Sequence, residues 1–122
     1  MKIIISKTFE KDFKKFIGKN YTICNLIKIV SIIYKFTIVK GDYLNRPFMK
    51  LKFDFCNKAI RLLIFYDLNN EIIIPIFITD KNDKKYGYNM TRTNISKIAD
   101  KNFENIEKDI EKDIEKGDFS EF

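Results

Sequence analysis

The spacing of apolar positions switches between a strand period and a helical period along this chain, and those switches organise it. Lys2-Ile-Ile-Ile-Ser6 is a short β-branched run and predicts a strand. Phe9, Phe13, Phe16 and Ile17 then recur at i, i+4, i+7 and i+8, which is one stripe of a helix. Lys11, Lys14 and Lys15 lie off the stripe, Thr8 is the predicted cap, and Gly18 and Asn20 mark the end. A second helix is predicted from about Thr22 to Phe36, with Ile23, Leu26, Ile27, Val30, Ile33 and Tyr34 facing inward. Ile29 and Ile32 make its other face partly apolar, so much of this helix should be covered. Gly41 to Pro47 reads as a loop from its turn residues.

From Phe48 the period is two. Met49, Leu51, Phe53 and Phe55 point one way, and Lys50, Lys52 and Asp54 the other, which predicts a half-buried strand with cations on its open face. After Asn57-Lys58 a second strand runs from Ile60 to Asp67, Leu68-Asn69-Asn70 is a hairpin turn, and Glu71 to Thr79 is a third strand. The third strand is apolar on both faces, which favours a central position. Pro75 cannot donate a ladder bond, which favours an edge or a bulge. A polar stretch, Asp80 to Tyr88, precedes a last helix beginning near Thr93 or Asn94. That helix holds the one internal repeat, with Ile106, Ile110 and Ile114 at spacing four, extended by Phe103. The order predicts an α+β domain: a small antiparallel sheet (β-α-α-β-β-β-α), two N-terminal helices packed on one face of it, and a C-terminal helix.

Length and composition bound what this domain can do. The chain has 122 residues, 45% of them hydrophobic and 33% charged, which suits one globular domain with one core. It has no His, which excludes Ser-His-Asp and Cys-His catalysis, two-histidine ribonuclease chemistry and His-rich zinc sites. Cys24 and Cys56 are too few for a disulfide scaffold or a structural zinc site, and their apolar surroundings predict buried reduced thiols. No metal or other cofactor is expected. The opening residues are too short a run for a signal peptide and charges follow at once. The most apolar stretch, Ile23 to Val39, is interrupted by Lys28 and Lys35. A cytoplasmic protein with no membrane partner is the expectation.

Charge separates the chain differently. Residues 1–100 carry 19 basic and 9 acidic side chains, whereas residues 101–122 carry 4 basic and 8 acidic ones. The net +6 is therefore a +10 body with a −4 end. Such a body suits a polyanion such as nucleic acid; a Lys-rich surface also serves solubility alone.

Four segments together resemble the RelE/ParE toxin superfamily of type II toxin–antitoxin modules. Ile5-Ser-Lys-Thr-Phe-Glu-Lys-Asp-Phe-Lys-Lys-Phe16 is similar to its first strand and helix. Lys50-Leu-Lys-Phe53, Ile60-Arg-Leu-Leu-Ile-Phe-Tyr66 and the run from Glu71 to Tyr86 are similar to its catalytic sheet, and Ile78-Thr-Asp-Lys-Asn-Asp-Lys84 resembles the HigB branch. The resemblance covers about Met1 to Tyr88. It implies residues 1–100 as a RelE-like toxin domain, with 101–122 as an acidic helix or tail of the same domain. It also implies an mRNA endonuclease acting in the ribosomal A site, and a cognate antitoxin bound in a hetero-oligomer. The alternatives are the ParE manner, which is gyrase inhibition without catalysis, or an inactive nucleic-acid-binding relative.

Carried over by position, Arg61 matches the Arg that contacts the scissile phosphate, and Lys50 and Lys52 match the basic alternation of the preceding strand. Lys81 matches the basic residue after the third strand. Lys84, Lys85 and Tyr86 match further basic residues and a Tyr that stacks or activates, a place Tyr88 also fits. Lys58 joins Lys84 and Lys85 as an expected RNA contact. Without His, a lysine whose neutral form is favoured by nearby cations and burial can take the 2′-hydroxyl proton, and Lys50, Lys52 and Lys81 are the candidates. Arg61 stays charged and can hold two phosphate oxygens. Asp80 and Asp83 in the same loop either weaken RNA contact or supply a base. The acidic end either folds over the basic face, competing with RNA, or packs on the sheet edge as a solvated helix.

Overall fold

The computed structural model describes residues 2–39, 42–45, 48–67, 70–80 and 101–122. Strand β1 (Lys2–Ser6) runs directly into helix α1 (Lys7–Ile17). Ser6, not Thr8, is the cap: its Oγ accepts from the Phe9 amide at 3.1 Å. Phe9 and Phe13 of the predicted stripe are fully buried, with ring centroids 6.1 Å apart. Each contributes about 1.5–3 kcal/mol through burial. The helix stops at Gly18, whose φ of +86° favours glycine, and a single 3₁₀ turn follows to Asn20.

Helix α2 (Ile23–Val39) buries Leu26, Ile29, Val30 and Ile33. The face differs from the predicted one, because Ile23 and Ile27 are 59% and 51% exposed. With apolar side chains on both faces, the 3.6 period alone cannot choose between them, and packing against the sheet decides.

Among the described residues the sheet has six strands in the order β2-β3-β4-β5-β1-β6. β2 (Asp42–Asn45) lies in the segment expected to be a loop and pairs antiparallel with β3 (Phe48–Phe55). β3, β4 (Lys58–Asp67) and β5 (Ile72–Asp80) form the predicted antiparallel meander. The β3–β4 turn is Cys56-Asn57, both at positive φ, as a two-residue type I′ connection requires. Both cysteines are exposed, contrary to the expectation, Cys56 because it occupies this turn. β1 pairs in parallel with β5, so β5 is central. Pro75 falls where the β4–β5 register shifts: Leu63 faces Phe77 and Ile64 faces Pro75, leaving Ile76 as the extra residue. Both readings of that strand therefore hold, a central strand with its proline at a bulge.

The two faces of the sheet are covered separately. Ile60, Leu62, Ile64 and Ile78 join Phe9, Phe13, Leu26 and Ile33 in the main core under α1 and α2. Leu63 and Ile76 point the other way, under Ile110 of α3 (Lys101–Lys116), with Phe65, Ile74, Phe77, Ile106 and Ile114 packed around them. The C-terminal helix thus lies on the second face, where helices on one face only were expected. Its predicted start near Thr93 or Asn94 falls outside the described residues.

Two further contacts fix this end of the chain. Asp113 of α3 accepts from the Thr8 amide at 2.7 Å and the Thr8 hydroxyl at 2.6 Å, so a carboxylate joins the Ser6 hydroxyl in capping α1. After Gly117, strand β6 (Phe119–Glu121) pairs antiparallel with β1, and Ile3 exchanges backbone bonds with Phe122 at 2.9 and 2.8 Å. Residues 101–122 are thereby part of the fold's framework.

Candidate nucleic-acid interface

The expected cations divide by the pleat of the sheet. Register places Lys52 of β3 directly opposite Arg61 of β4, and Arg61 directly opposite Thr79 of β5. These three side chains form one cross-strand row on the face that α3 shares. Facing residues in such a row have Cβ atoms about 4.5–5.5 Å apart. The row thus carries two positive side chains on one face, and Lys52 also has an interaction within the protein.

Exposure differs along the row. Lys52 is exposed, Arg61 is half-buried and Thr79 is buried. One Arg61 N–H, on Nη1, is used on the Ile60 carbonyl at 3.1 Å. That bond holds the guanidinium along its own strand, and the fork has four further donors. Asp54 is exposed on the same strand face, two residues from Lys52, about 7 Å by strand rise. This face therefore carries a carboxylate near its two cations.

Lys50 departs from the expectation of an open face. It sits one rung away, opposite Leu63, and is only 8% exposed. It also has an interaction partner of its own. Alternation marks which face a strand residue takes; it does not mark which part of that face another element covers, and Leu63 lies in the footprint of α3.

Lys58 is not brought into the row. It pairs with Phe55 on the main-core face. Its Nζ donates to the Phe16 carbonyl at 2.7 Å and lies 4.5 Å from the Phe16 ring centroid. It thus closes the C-terminal turn of α1, where a cation also meets the negative end of the helix dipole. Asp80 ends β5 opposite Ile60, one residue out of step with Arg61, so alternation places it on the other face from the row. Lys81, Asp83, Lys84, Lys85, Tyr86 and Tyr88 lie outside the described residues.

The same sheet face carries a second feature that the sequence pattern did not mark. Beside α3 is an apolar cavity of about 170 Å³, floored by Phe65, Ile74 and Ile76 and walled by Ile110, Ile114, Glu107 and Glu111. Its origin is the spacing of the isoleucine stripe. Residues four apart on a helix rotate by about 40° per step, so the three isoleucines cannot all point at a flat sheet. Ile110 is buried, Ile106 and Ile114 only half so. On the helix circumference Glu107, Ile114 and Glu111 fall on one side of Ile110. Asp109 and Asp113 fall on the other, toward α1.

Among the described residues, no group of three or more Cys, Asp or Glu side chains could hold a metal ion, and no helix is long and apolar enough to cross a membrane. Neither protein-family models, curated proteins nor solved structures gave a match to this chain.

Proposed function

We propose that this chain is an RNA-cleaving toxin of RelE type, acting on mRNA at the ribosome and restrained by a cognate antitoxin. The observation that supports it is the cross-strand pair Lys52–Arg61 on an antiparallel meander. Arg61 matches the cation that the resemblance assigns to the scissile phosphate, Lys52 belongs to the basic alternation of the preceding strand, and the register sets the two side by side.

In this reading the row binds one phosphodiester of a single strand. The 2′-oxygen attacks phosphorus, the P–O5′ bond breaks, and the products carry a 2′,3′-cyclic phosphate and a 5′-hydroxyl. Arg61 holds two non-bridging oxygens with paired N–H groups, and Lys52 adds a second positive charge as the phosphorane gains negative charge. The 2′-hydroxyl proton needs an acceptor and the 5′-oxygen needs a donor. Asp54 shares this face and is the acceptor in this reading. Lys81 is the lysine that could take the same proton, and Tyr86 matches the Tyr to which the resemblance gives a stacking or activating role.

The test is cleavage of a model mRNA, with and without ribosomes, by wild type and by Arg61→Ala, with circular dichroism to confirm that the fold is kept. Arg61→Ala should lower cleavage by about 10²–10³ and abolish growth arrest on expression. Undiminished cleavage and full toxicity in the folded variant would refute the assignment. A DNA-damage response with intact mRNA would move the chain to the gyrase-inhibiting branch.

A further inference from the structure

We infer that copies of this chain associate head to tail, with the exposed isoleucines of α2 in one copy seated in the hollow beside α3 of the next. This is independent of the RNA reading above and concerns surfaces that reading does not use.

Two unlike patches carry it. The first is on α2. Ile23 and Ile27 are 59% and 51% exposed and stand one turn apart on one side of the helix. Single exposed apolar residues are common, but these two adjoin, and exposed Lys28 follows them. Between Asp12 and Asp42 the chain has six lysines and no acidic residue, so the apolar pair has a basic setting. The second patch is the hollow. Ile74, Ile76, Ile110 and Ile114 give it an aliphatic lining, and carboxylates stand at its wall. Glu107 already has an interaction within the protein, so the charged contact is assigned to Glu111, which is exposed.

Charge decides the occupant. Two α2 faces brought together would set lysine against lysine, and two hollows would set glutamate against glutamate. An α2 face brought to a hollow packs aliphatic side chains together and places Lys28 by Glu111. A second copy therefore offers each patch the surface it complements.

Position in the fold then decides the form of the assembly. α2 covers the main-core face of the sheet and α3 the second face. The patches lie on opposite sides, so a copy seated on one does not reach back to the other. Such a heterologous contact extends from copy to copy where a self-complementary one would stop at two. Two isoleucines and one charge pair make a small contact, at the weak end of the range for protein interfaces. Association should therefore rise with protein concentration and fall with salt.

The experiment is sedimentation equilibrium of the full chain at rising concentration, at low and at high salt. A reducing agent is present because both cysteines are exposed. The average mass should climb past twice the 14.6 kDa of one copy and should fall as salt is added. Ile23→Gln/Ile27→Gln, Lys28→Glu and Glu111→Lys should each weaken association at least tenfold. All change exposed side chains, and circular dichroism checks that the fold is kept. Lys28→Glu combined with Glu111→Lys in one chain should restore association to within threefold of wild type. Lys35→Glu makes the same charge change two turns further along α2 and should weaken it less than threefold. The decisive sample mixes Ile23→Gln/Ile27→Gln with Glu111→Lys. Neither should associate alone, and the one intact pair of patches should give a species of two copies and nothing larger. A wild type that keeps the mass of one copy at every concentration would overturn the inference. So would a mass that levels at two copies, equal losses in Lys35→Glu and Lys28→Glu, or a mixture no heavier than its components.

Discussion

Removing Lys52 and Arg61 tests whether the row binds phosphate, and salt supplies the magnitude. For single-stranded nucleic acid, each cation that neutralises a phosphate contributes about −0.7 to the slope of log Kobs against log salt. Between about 50 and 200 mM salt, one such cation accounts for roughly a threefold loss of affinity, and two for roughly sevenfold. Lys52→Ala and Arg61→Ala should each flatten the slope by about 0.7, and the double variant by about 1.4. Lys52 is exposed, so its removal should change stability by no more than about 0.5 kcal/mol. Lys58→Ala is the internal control. It removes the same charge from the neighbouring end of β4, but its ammonium is bonded to the Phe16 carbonyl on the other face. The slope should stay as in wild type, while stability falls by about 1–2 kcal/mol through loss of a charged hydrogen bond at the end of α1. The assay is oligoribonucleotide anisotropy at four or five salt concentrations, with urea melts alongside. If all three variants flatten the slope equally, the positive charge of the body is acting diffusely and the row is not a site. If neither row variant changes it, the row does not touch phosphate.

Three other outcomes follow from the packing. Burial pushes the Asp113 carboxyl upward, but the Thr8 hydroxyl and amide bonds, with Lys11 and Lys7 nearby, outweigh it and hold the group below the usual 3.8. Its stabilising contribution is therefore present above that value and is lost as pH falls through the lower folded one. Asp12, on the same contact, is held above 3.8 by burial and by Asp109 against the pull of Lys15, so its ionised form costs stability that acid recovers. Asp113→Ala should lower stability by about 1 kcal/mol at neutral pH, seen as a lower melting temperature. The difference from wild type should shrink below pH 4. Ile110→Ala removes the one fully seated isoleucine of α3 and should cost about 2–5 kcal/mol in urea melts. Both cysteines should react with a thiol reagent in the folded state, because both are exposed; protection until unfolding would contradict the hairpin geometry.

The strands of the meander were legible because their side chains obey a strict period of two and their turns are bounded by Asn and Asp. β2 and β6 were not. β2 is four residues without apolar alternation, and what makes it a strand is the edge of β3 beside it. β6 is three exposed residues that complete backbone bonds of β1. Neither carries a pattern of its own. The helices show the same division. α1 has one apolar stripe and was read correctly. α2 has apolar residues on both faces, and the sheet chose Ile29 over Ile27. In the candidate site, Arg61 and Lys52 were legible as an out-of-place charge and a polar alternation. That they face each other is a matter of register, which the two-residue turn at Cys56-Asn57 sets. The loss of Lys50 from the open face and of Lys58 from the row comes from tertiary cover. No local pattern encodes that.

Register and tertiary cover also change what the uneven charge of the chain means. The −4 segment is neither a loose tail nor a solvated helix on the sheet edge. It caps α1 through Asp113, completes β1 through β6 and roofs Leu63 and Ile76 through Ile110. Once α3 is fixed in this way, its two acidic flanks are no longer equivalent. Asp113 faces α1 with Lys11 and Lys7 nearby, and Asp109 lies on the same side, near Asp12. Glu107 and Glu111 line an apolar cavity on the face that carries Lys52 and Arg61. The two flanks therefore meet different surroundings, a charged contact with α1 on one side and an apolar hollow against β4 and β5 on the other.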